Sequence, residues 1–188
     1  MDPEKITITF VGDHCCGKTS LIISHLDNYF PLKVSKCAEQ RPYAYNLDGN
    51  LRTIQIFDTN TSSEYSRLRA LSYPISNIIF LCFSCVDANS YESVFSRWCY
   101  EVTHHCPHTP VFVVATKIDL LRETKENGPF VDMMVAKKRA EEIGGQYFMC
   151  SAMTGEGVRT LFESAFRKVD SREKRPLVST SKKDCEIL

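Results

Sequence analysis

Eight consecutive residues near the N-terminus have the pattern of a phosphate-binding loop. They fit G-x-x-x-x-G-K-[ST] and lie between a strand-like and a helix-like stretch: Gly12, Asp13, His14, Cys15, Cys16, Gly17, Lys18 and Thr19. Their backbone N–H groups and the helix N-terminus would surround a phosphate chain, with Lys18 reaching the outer phosphates and the Thr19 hydroxyl holding Mg²⁺. A chance glycine-rich turn is the alternative, and the strand-to-helix setting argues against it.

Two further polar segments follow apolar runs and could bind a purine base. Thr116-Lys117-Ile118-Asp119 stands directly after one run, and Cys150-Ser151-Ala152 after another. The Asp119 carboxylate can accept both N–H groups of a guanine edge, whereas adenine offers the opposite pattern. Each segment alone could be a surface turn. Three such segments in this order, all at strand ends, favour a guanine-nucleotide site.

The surrounding pattern predicts the elements that must position these loops. Strand-like and helix-like stretches alternate, which predicts an α/β fold of the P-loop type: a three-layer sandwich whose six-stranded, mostly parallel sheet has helices on both faces. Asp48-Gly49 predicts a hairpin and therefore the one antiparallel pair. Residues 78–83 and 111–115 are continuous apolar runs, typical of strands covered on both faces.

One domain and a tail are predicted, at residues 1–169 and 170–188. The domain ends in an amphipathic helix, and the tail lacks an apolar pattern and is expected to be flexible. The 23 Lys and Arg balance 23 Asp and Glu, which excludes nucleic-acid binding driven by bulk basicity. No apolar run approaches the ~20 residues of a membrane span, and no signal peptide begins the chain. We therefore expect a cytoplasmic protein.

Nine cysteines are scattered among apolar residues. In a chain without a secretory signal, this usage predicts reduced thiols that act as small apolar side chains. Cys15 and Cys16 precede the first helix, where the helix terminus lowers a thiol pKa and favours oxidation or alkylation. A structural role is the alternative for both, and the one that we favour.

The chain resembles the small GTPases of the Ras superfamily, and within them the Rho/Rac family. Besides the nucleotide segments, the resemblance rests on residues 65–74 and 101–110, and it covers about residues 5–169 and the C-terminus. It implies a signalling switch, linked to the cytoskeleton and membranes, that binds GTP or GDP with Mg²⁺. Implied partners are effector proteins, exchange factors, GTPase-activating proteins and a prenyl-binding solubilising factor.

The resemblance also implies roles for single residues. Phe30 would stack on the edge of the guanine, and Asp58 would hold Mg²⁺ through water. Besides the phosphate loop, the residues implied to bind nucleotide are Ser20, Phe30, Asp58, Thr61, Thr116, Lys117, Asp119, Ser151 and Ala152.

Three positions depart from the family pattern where hydrolysis is concerned. His14 stands where the family has glycine, close to the terminal phosphate, so its side chain would crowd the transition state. Thr61 replaces the glycine whose N–H senses that phosphate, and Ser62 replaces the glutamine that orients the attacking water. Serine is too short to reach the water, so we predict slow or absent hydrolysis. Water positioning by His14 is the alternative, and an altered effector surface is compatible with both.

The first switch loop departs as well. The family places a Mg²⁺-binding threonine seven residues beyond the stacking phenylalanine. Because the spacing from Phe30 to Asp58 is one residue shorter than in the family, Lys36 or Cys37 stands there. Ser35 offers the only hydroxyl nearby. If Ser35 does not substitute as the metal ligand, this loop loses its sensing of the nucleotide.

The last four residues, Cys185-Glu186-Ile187-Leu188, fit the C-a-a-X prenylation pattern, and the final leucine favours a geranylgeranyl chain on Cys185. The tail carries almost balanced charge and no second cysteine. Because stable anchoring needs two signals, we predict weak, reversible attachment to the cytosolic face of membranes.

Three functional hypotheses follow. The leading one is a prenylated Rho-like switch whose impaired hydrolysis keeps it largely GTP-bound. In the second, a conventional GTPase depends on an activating protein that supplies an arginine. In the third, an interaction module binds nucleotide only as a structural ligand and does not switch.

Overall fold

Six strands form a single sheet in the computed structural model, which describes residues 5–34, 42–123 and 131–173. The strands are β1 Lys5–Gly12, β2 Tyr43–Leu47, β3 Asn50–Asp58, β4 Ile78–Ser84, β5 Val111–Thr116 and β6 Gln146–Met149. The helices are α1 Lys18–Asp27, α2 Ser66–Ser72, α3 Ala88–Ser93, α4 Cys99–His105, α5 Leu120–Glu123, α6 Met133–Glu142 and α7 Val158–Glu173. A 3₁₀ turn, Ser63–Tyr65, precedes α2, and a π-helical turn, Val94–Trp98, joins α3 to α4.

The sheet has the order β2-β3-β1-β4-β5-β6, and every neighbouring pair except β2–β3 is parallel. The antiparallel pair turns at Asp48 and Gly49, which both have positive φ angles, 50° and 90°. Such angles are those of a tight hairpin turn, and glycine adopts them without strain. The predicted six-stranded, mostly parallel sheet and its hairpin are confirmed.

Helices cover both faces of the sheet, because alternate residues of each central strand point to opposite sides. On one side, Ile8 and Phe10 of β1 pack with Leu21 of α1 and Phe162 of α7. On the other, Leu81 of β4 and Val113 of β5 pack with Trp98, Val102 and the alanines of α6. The predicted three-layer sandwich is therefore confirmed.

The carboxyl ends of the parallel strands meet at one edge of the sheet, where ligands bind in open α/β folds. There β1 runs into the phosphate loop, and β3 ends at Asp58. Strand β5 is followed by Lys117 and Asp119, and β6 by Ser151. The sheet topology thus brings together the three segments that the sequence singles out and Asp58, which the resemblance implies.

Helix α7 ends at Glu173, so the first residues of the predicted tail are helical. Their polarity hides this in the sequence, but Asp170 forms an ion pair with Arg52 of β3, and Arg172 donates to the carbonyl of His108 at 3.0 Å. Residues 174–188 lie outside the described residues. Within the described ranges, no helix is long and apolar enough to cross a membrane.

Candidate nucleotide-binding site

The loop between β1 and α1 adopts a shape that requires glycine at two of its pattern positions. Gly12 has a φ of 150°, and a Cβ there would lie 2.2 Å from the carbonyl oxygen of Cys82. Gly17 has a φ of 101° and packs against the side chain of Thr116. The loop then enters α1 at Lys18, with its backbone amides at the N-terminal end of the helix, where anions are stabilised.

Lys18 folds back over the loop and is only 7% exposed. Its Nζ donates to the carbonyl oxygens of Gly12 and Asp13, both at 2.8 Å, and contacts the Cys16 sulfur at 3.8 Å. Thiols are weak acceptors, so the third ammonium N–H is available to donate a hydrogen bond to a phosphate oxygen instead. The ammonium is therefore held at the phosphate loop by two backbone carbonyls.

The carboxylate of Asp13 points away from the loop interior, because it accepts a hydrogen bond from Trp98 Nε1 at 2.7 Å. This keeps a negative charge from facing a bound phosphate. Asp13 can thus contribute to a phosphate site through its backbone only.

The two loop cysteines differ from each other. Cys15 is exposed and has a left-handed backbone, with a φ of 58°. Cys16 is buried in the core, and burial raises its pKa even though Lys18 opposes the shift. The expectation of a lowered thiol pKa is therefore wrong for Cys16, because loss of solvation outweighs the helix terminus and the ammonium. All seven cysteines in the described ranges are free thiols.

The predicted Mg²⁺ ligands lie side by side. Thr19 Oγ1, in the first turn of α1, donates to Asp58 Oδ2, at the end of β3, at 2.6 Å. The adjacent Thr59 hydroxyl donates to the carbonyl of Phe10 at 2.6 Å, which fixes the end of β3 against β1. A hydroxyl and a carboxylate are hard oxygen donors, so this pair fits Mg²⁺.

A cavity of about 480 Å³ opens in front of this loop. Its lining comprises His14, Cys15, Gly17, Lys18, Thr19, Ser20, Val34, Thr59, Asn60, Thr61 and Lys117. Two of the three positions that depart from the family pattern, His14 and Thr61, thus face the cavity that holds the Lys18 ammonium. Ser62 does not line it; its N–H donates to Asn60 Oδ1 at 3.0 Å and its carbonyl accepts from the N–H of Tyr65.

The predicted base-binding loops are tied together and to the phosphate loop. Ser151, fully buried, donates to Asp119 Oδ1 at 2.5 Å and accepts from the N–H of Thr154 at 3.1 Å. The Thr116 hydroxyl contacts the carbonyls of Cys16 and Phe83. Lys117 has a φ of 60°, which turns the chain sharply after β5. The buried serine therefore orients the carboxylate that would accept from a guanine edge.

Phe30 and Ala152 lie around a second cavity of about 570 Å³, between α1 and α7. Thr116, Lys117, Asp119 and Ser151, the other residues predicted to form the base pocket, are not part of its lining. Two predicted site residues, Ser35 and Cys185, lie outside the described residues.

The sequence analysis did not predict four residues that lie beside the phosphate loop and the loop at residues 60–62. They are Arg69, Arg97, Trp98 and Glu101. Arg69 and Glu101 belong to the two segments, 65–74 and 101–110, on which the family resemblance rests. Their Nε–Oε1 distance is 2.8 Å. Because these two segments match the family strongly and carry opposite charges, the sequence could have predicted the ion pair between Arg69 and Glu101.

Comparison with known families agrees with this geometry. A family model described as the Ras family matches residues 7–171. The matched range contains the phosphate loop, the Thr19–Asp58 pair and both base-binding loops.

Proposed function

The chain belongs to the Ras family of small GTP-binding proteins, and we propose that it is a Rho-like switch whose impaired GTP hydrolysis leaves it largely GTP-bound. The observation that carries this proposal is the lining of the phosphate cavity. His14 and Thr61 face it, whereas Ser62 does not. A conventional hydrolytic site needs space and a water-orienting side chain at these positions.

Members of this family bind GTP or GDP, generally with Mg²⁺. In this chain Lys18 would neutralise the outer phosphates, and the Thr19 and Asp58 oxygens would hold the metal. The metal would supply charge neutralisation between the phosphates. Asp119, oriented by Ser151, would select guanine.

The impaired hydrolysis is supported by side-chain length as well as by position. The hydroxyl oxygen of serine is one bond from Cβ, whereas the amide oxygen and nitrogen of glutamine are three bonds from Cβ. The Ser62 backbone is also bound into the loop through Asn60. A water beside the terminal phosphate would therefore lack its usual orienting group, and the His14 imidazole would compete for its space.

The first experiment is to identify the nucleotide on the purified full chain by denaturing it and separating what is released. Near-stoichiometric GTP is expected. GDP would favour the conventional GTPase that depends on an activating protein, and a single-turnover assay with GTP would then measure its rate. An empty site would favour the interaction module.

The Rho-like assignment is supported by the resemblance of residues 65–74 and 101–110 to that family, and these two segments also contact each other. Besides the Arg69–Glu101 pair, Tyr73 donates to Glu101 Oε1 at 2.6 Å. The partners proposed on this basis are effector proteins, exchange factors, activating proteins and a prenyl-binding solubilising factor.

We further propose that a geranylgeranyl chain on Cys185 attaches the protein weakly to the cytosolic face of membranes. Cys185→Ser should shift the protein from the membrane fraction to the soluble fraction when cells are fractionated. Cys99→Ser, which removes a half-buried thiol on α4, is the control and should leave the distribution unchanged. Membrane association that survives Cys185→Ser would contradict the proposal.

A further inference from the structure

The thiol of Cys85 donates a hydrogen bond to the loop that follows β5. Its sulfur lies 3.1 Å from the carbonyl oxygen of Lys117, and its side chain is fully buried. The backbone N–H of Cys85 donates to the preceding carbonyl, that of Thr116, also at 3.1 Å. A single residue directly after β4 therefore holds two successive carbonyls at the point where β5 ends.

The carbonyl of Lys117 belongs to a turn that needs support. Lys117 has a φ of 60°, a left-handed conformation that a residue with a side chain rarely adopts. Besides the thiol, its carbonyl accepts a hydrogen bond from the N–H of Leu120 at 3.0 Å. A carbonyl oxygen has two lone pairs, so it can accept from the thiol and from the N–H at once. The turned peptide is therefore fixed from two sides.

The thiol of Cys85 is protonated at neutral pH, as a donor must be. Burial raises the pKa of Cys85 to about 11, and the nearby Asp119 carboxylate adds to the rise. The hydrogen bond to Lys117 is therefore present over the whole physiological range of pH.

The turn determines where the Lys117 side chain can lie. Lys117 lines the cavity of about 480 Å³ in front of the phosphate loop, and Asp119 follows two residues later. A lysine can place its aliphatic stem along an apolar surface while its ammonium stays in a polar setting. Under the proposed function, Asp119 would accept from the edge of the guanine and the stem of Lys117 would cover its ring face.

We propose that Cys85 is a positioning residue for guanine-nucleotide binding, because its thiol fixes the Lys117 turn and thereby aims the lysine stem at the face of the base. The inference deepens the proposed function and rests on it insofar as the chain must bind guanine nucleotide. The sequence predicts only a small apolar side chain at this position, whereas the role proposed for Cys85 depends on its S–H group.

The test is the rate at which the full chain releases GDP labelled on its ribose with a fluorophore. Cys85→Ala should release it about three- to tenfold faster, as expected for the loss of one neutral hydrogen bond. Cys85→Val should have the same effect while it fills the space of the thiol, so it keeps the test valid if the alanine variant fails to fold. Cys85→Ser keeps a donor and should stay within about twofold of the wild-type rate.

Cys106→Ala is the matched control. The thiol of Cys106 is also buried and also donates to a backbone carbonyl at 3.1 Å, that of Val102, but it lies at the end of α4 and not at a base-binding loop. Its removal should leave the release rate of GDP unchanged.

A second nucleotide tests whether Cys85 acts through Lys117. Inosine diphosphate lacks the exocyclic amino group of guanine, so it offers the Asp119 carboxylate one N–H group fewer but presents a similar ring face. Loss of a contact with the ring face should speed the release of both labelled nucleotides by the same factor. An effect of Cys85→Ala on GDP alone would place the role at Asp119 and overturn the proposal.

The outcomes separate this inference from the proposed function. If GDP loads and neither Cys85→Ala nor Cys85→Val releases it faster than Cys106→Ala does, the role of Cys85 is wrong while the proposed function stands. The role is also wrong if Cys85→Ser releases GDP as fast as Cys85→Ala, because packing alone would then explain the effect. Rapid GTP hydrolysis by the wild type would contradict the proposed function and leave the role of Cys85 intact. If no guanine nucleotide loads, both proposals fail.

Discussion

Single residues decide the chemistry at the phosphate cavity. Lys18 donates to carbonyls of the phosphate loop, and the Thr19 hydroxyl donates to Asp58. His14 and Thr61 line the same cavity but carry side chains where the family has glycine. Under the proposed function, the same cavity would combine groups suited to nucleotide binding with groups unsuited to hydrolysis.

Restoring the usual residues should restore hydrolysis. In the double variant His14→Gly, Ser62→Gln we expect single-turnover GTP hydrolysis to rise by roughly 10- to 100-fold, because one change opens space and the other adds a water-orienting amide. The control variant, His14→Gly, Ser63→Gln, leaves Ser62 unchanged and places the glutamine at the next position. An unchanged rate in the first double variant would sink the proposed cause of slow hydrolysis.

Under the proposed function, Ser151 should act as a positioning residue for the base, through its hydrogen bond to Asp119. Ser151→Ala removes the 2.5 Å hydrogen bond to Asp119, and a hydrogen bond to a charged group contributes about 1.5–3 kcal/mol. We expect GDP release to become at least about tenfold faster, measured with a fluorescent GDP analogue. Ser96→Ala, which removes an exposed hydroxyl bonded to a helix carbonyl, should not change the rate. Equal release rates in the two variants would contradict the claim that Ser151 orients Asp119 for base binding.

At the scale of elements, close packing between β1 and β4 explains the first glycine of the phosphate loop. Gly12→Ala would push a methyl group against the Cys82 carbonyl and force a positive φ. We expect it to lower the free energy of unfolding by about 3 kcal/mol or more. Gly49→Ala, at a φ of 90° with open space around it, should lower it by only about 1 kcal/mol. Urea denaturation of both variants measures the difference, and equal losses would contradict the packing argument.

Local pattern was enough to predict most elements. Asp48-Gly49 predicted the hairpin, and continuous apolar runs predicted strands β4 and β5. Each of these two strands extends one residue beyond its predicted end. The end of α7 could not be predicted, because its last turn is polar and is held by contacts from β3 and the loop before β5.

The candidate site could be predicted only where one segment supplies a whole function. The phosphate loop and the base-binding loops are of this kind. The Trp98–Asp13 bond joins residues 85 positions apart, and Arg69–Glu101 joins residues 32 apart. The raised pKa of Cys16 depends on burial, which several elements create together. Such features depend on tertiary packing and leave no local pattern.

At the scale of the whole molecule, His25 joins three elements and links stability to pH. Its ring stacks on Phe162 of α7 with 3.6 Å between centroids, and it shares a 2.6 Å hydrogen bond with the Tyr43 hydroxyl of β2. Burial lowers the pKa of His25 to about 4. The folded state therefore keeps the imidazole neutral where an unfolded chain would protonate it.

The free energy of unfolding should therefore fall as pH drops. The contribution of His25 is fully present above the unfolded pKa of about 6.5 and is lost progressively down to pH 4, by about 3 kcal/mol in total. His25→Phe should remove most of this loss, measured by urea denaturation at pH 7, 5.5 and 4.5. His108→Phe, at an exposed loop position, is the control and should keep the acid sensitivity. If His25→Phe keeps it too, another group is responsible.

The last turn of α7 fixes the point from which the C-terminal segment leaves the domain. Arg52 and the His108 carbonyl hold that turn. A force applied to the C-terminal segment would therefore act, through these two contacts, on β3 and on the loop before β5. Residues 174–185 can span at most about 40 Å when fully extended. A lipid on Cys185 would therefore act as a short tether that keeps the domain within about 40 Å of the bilayer.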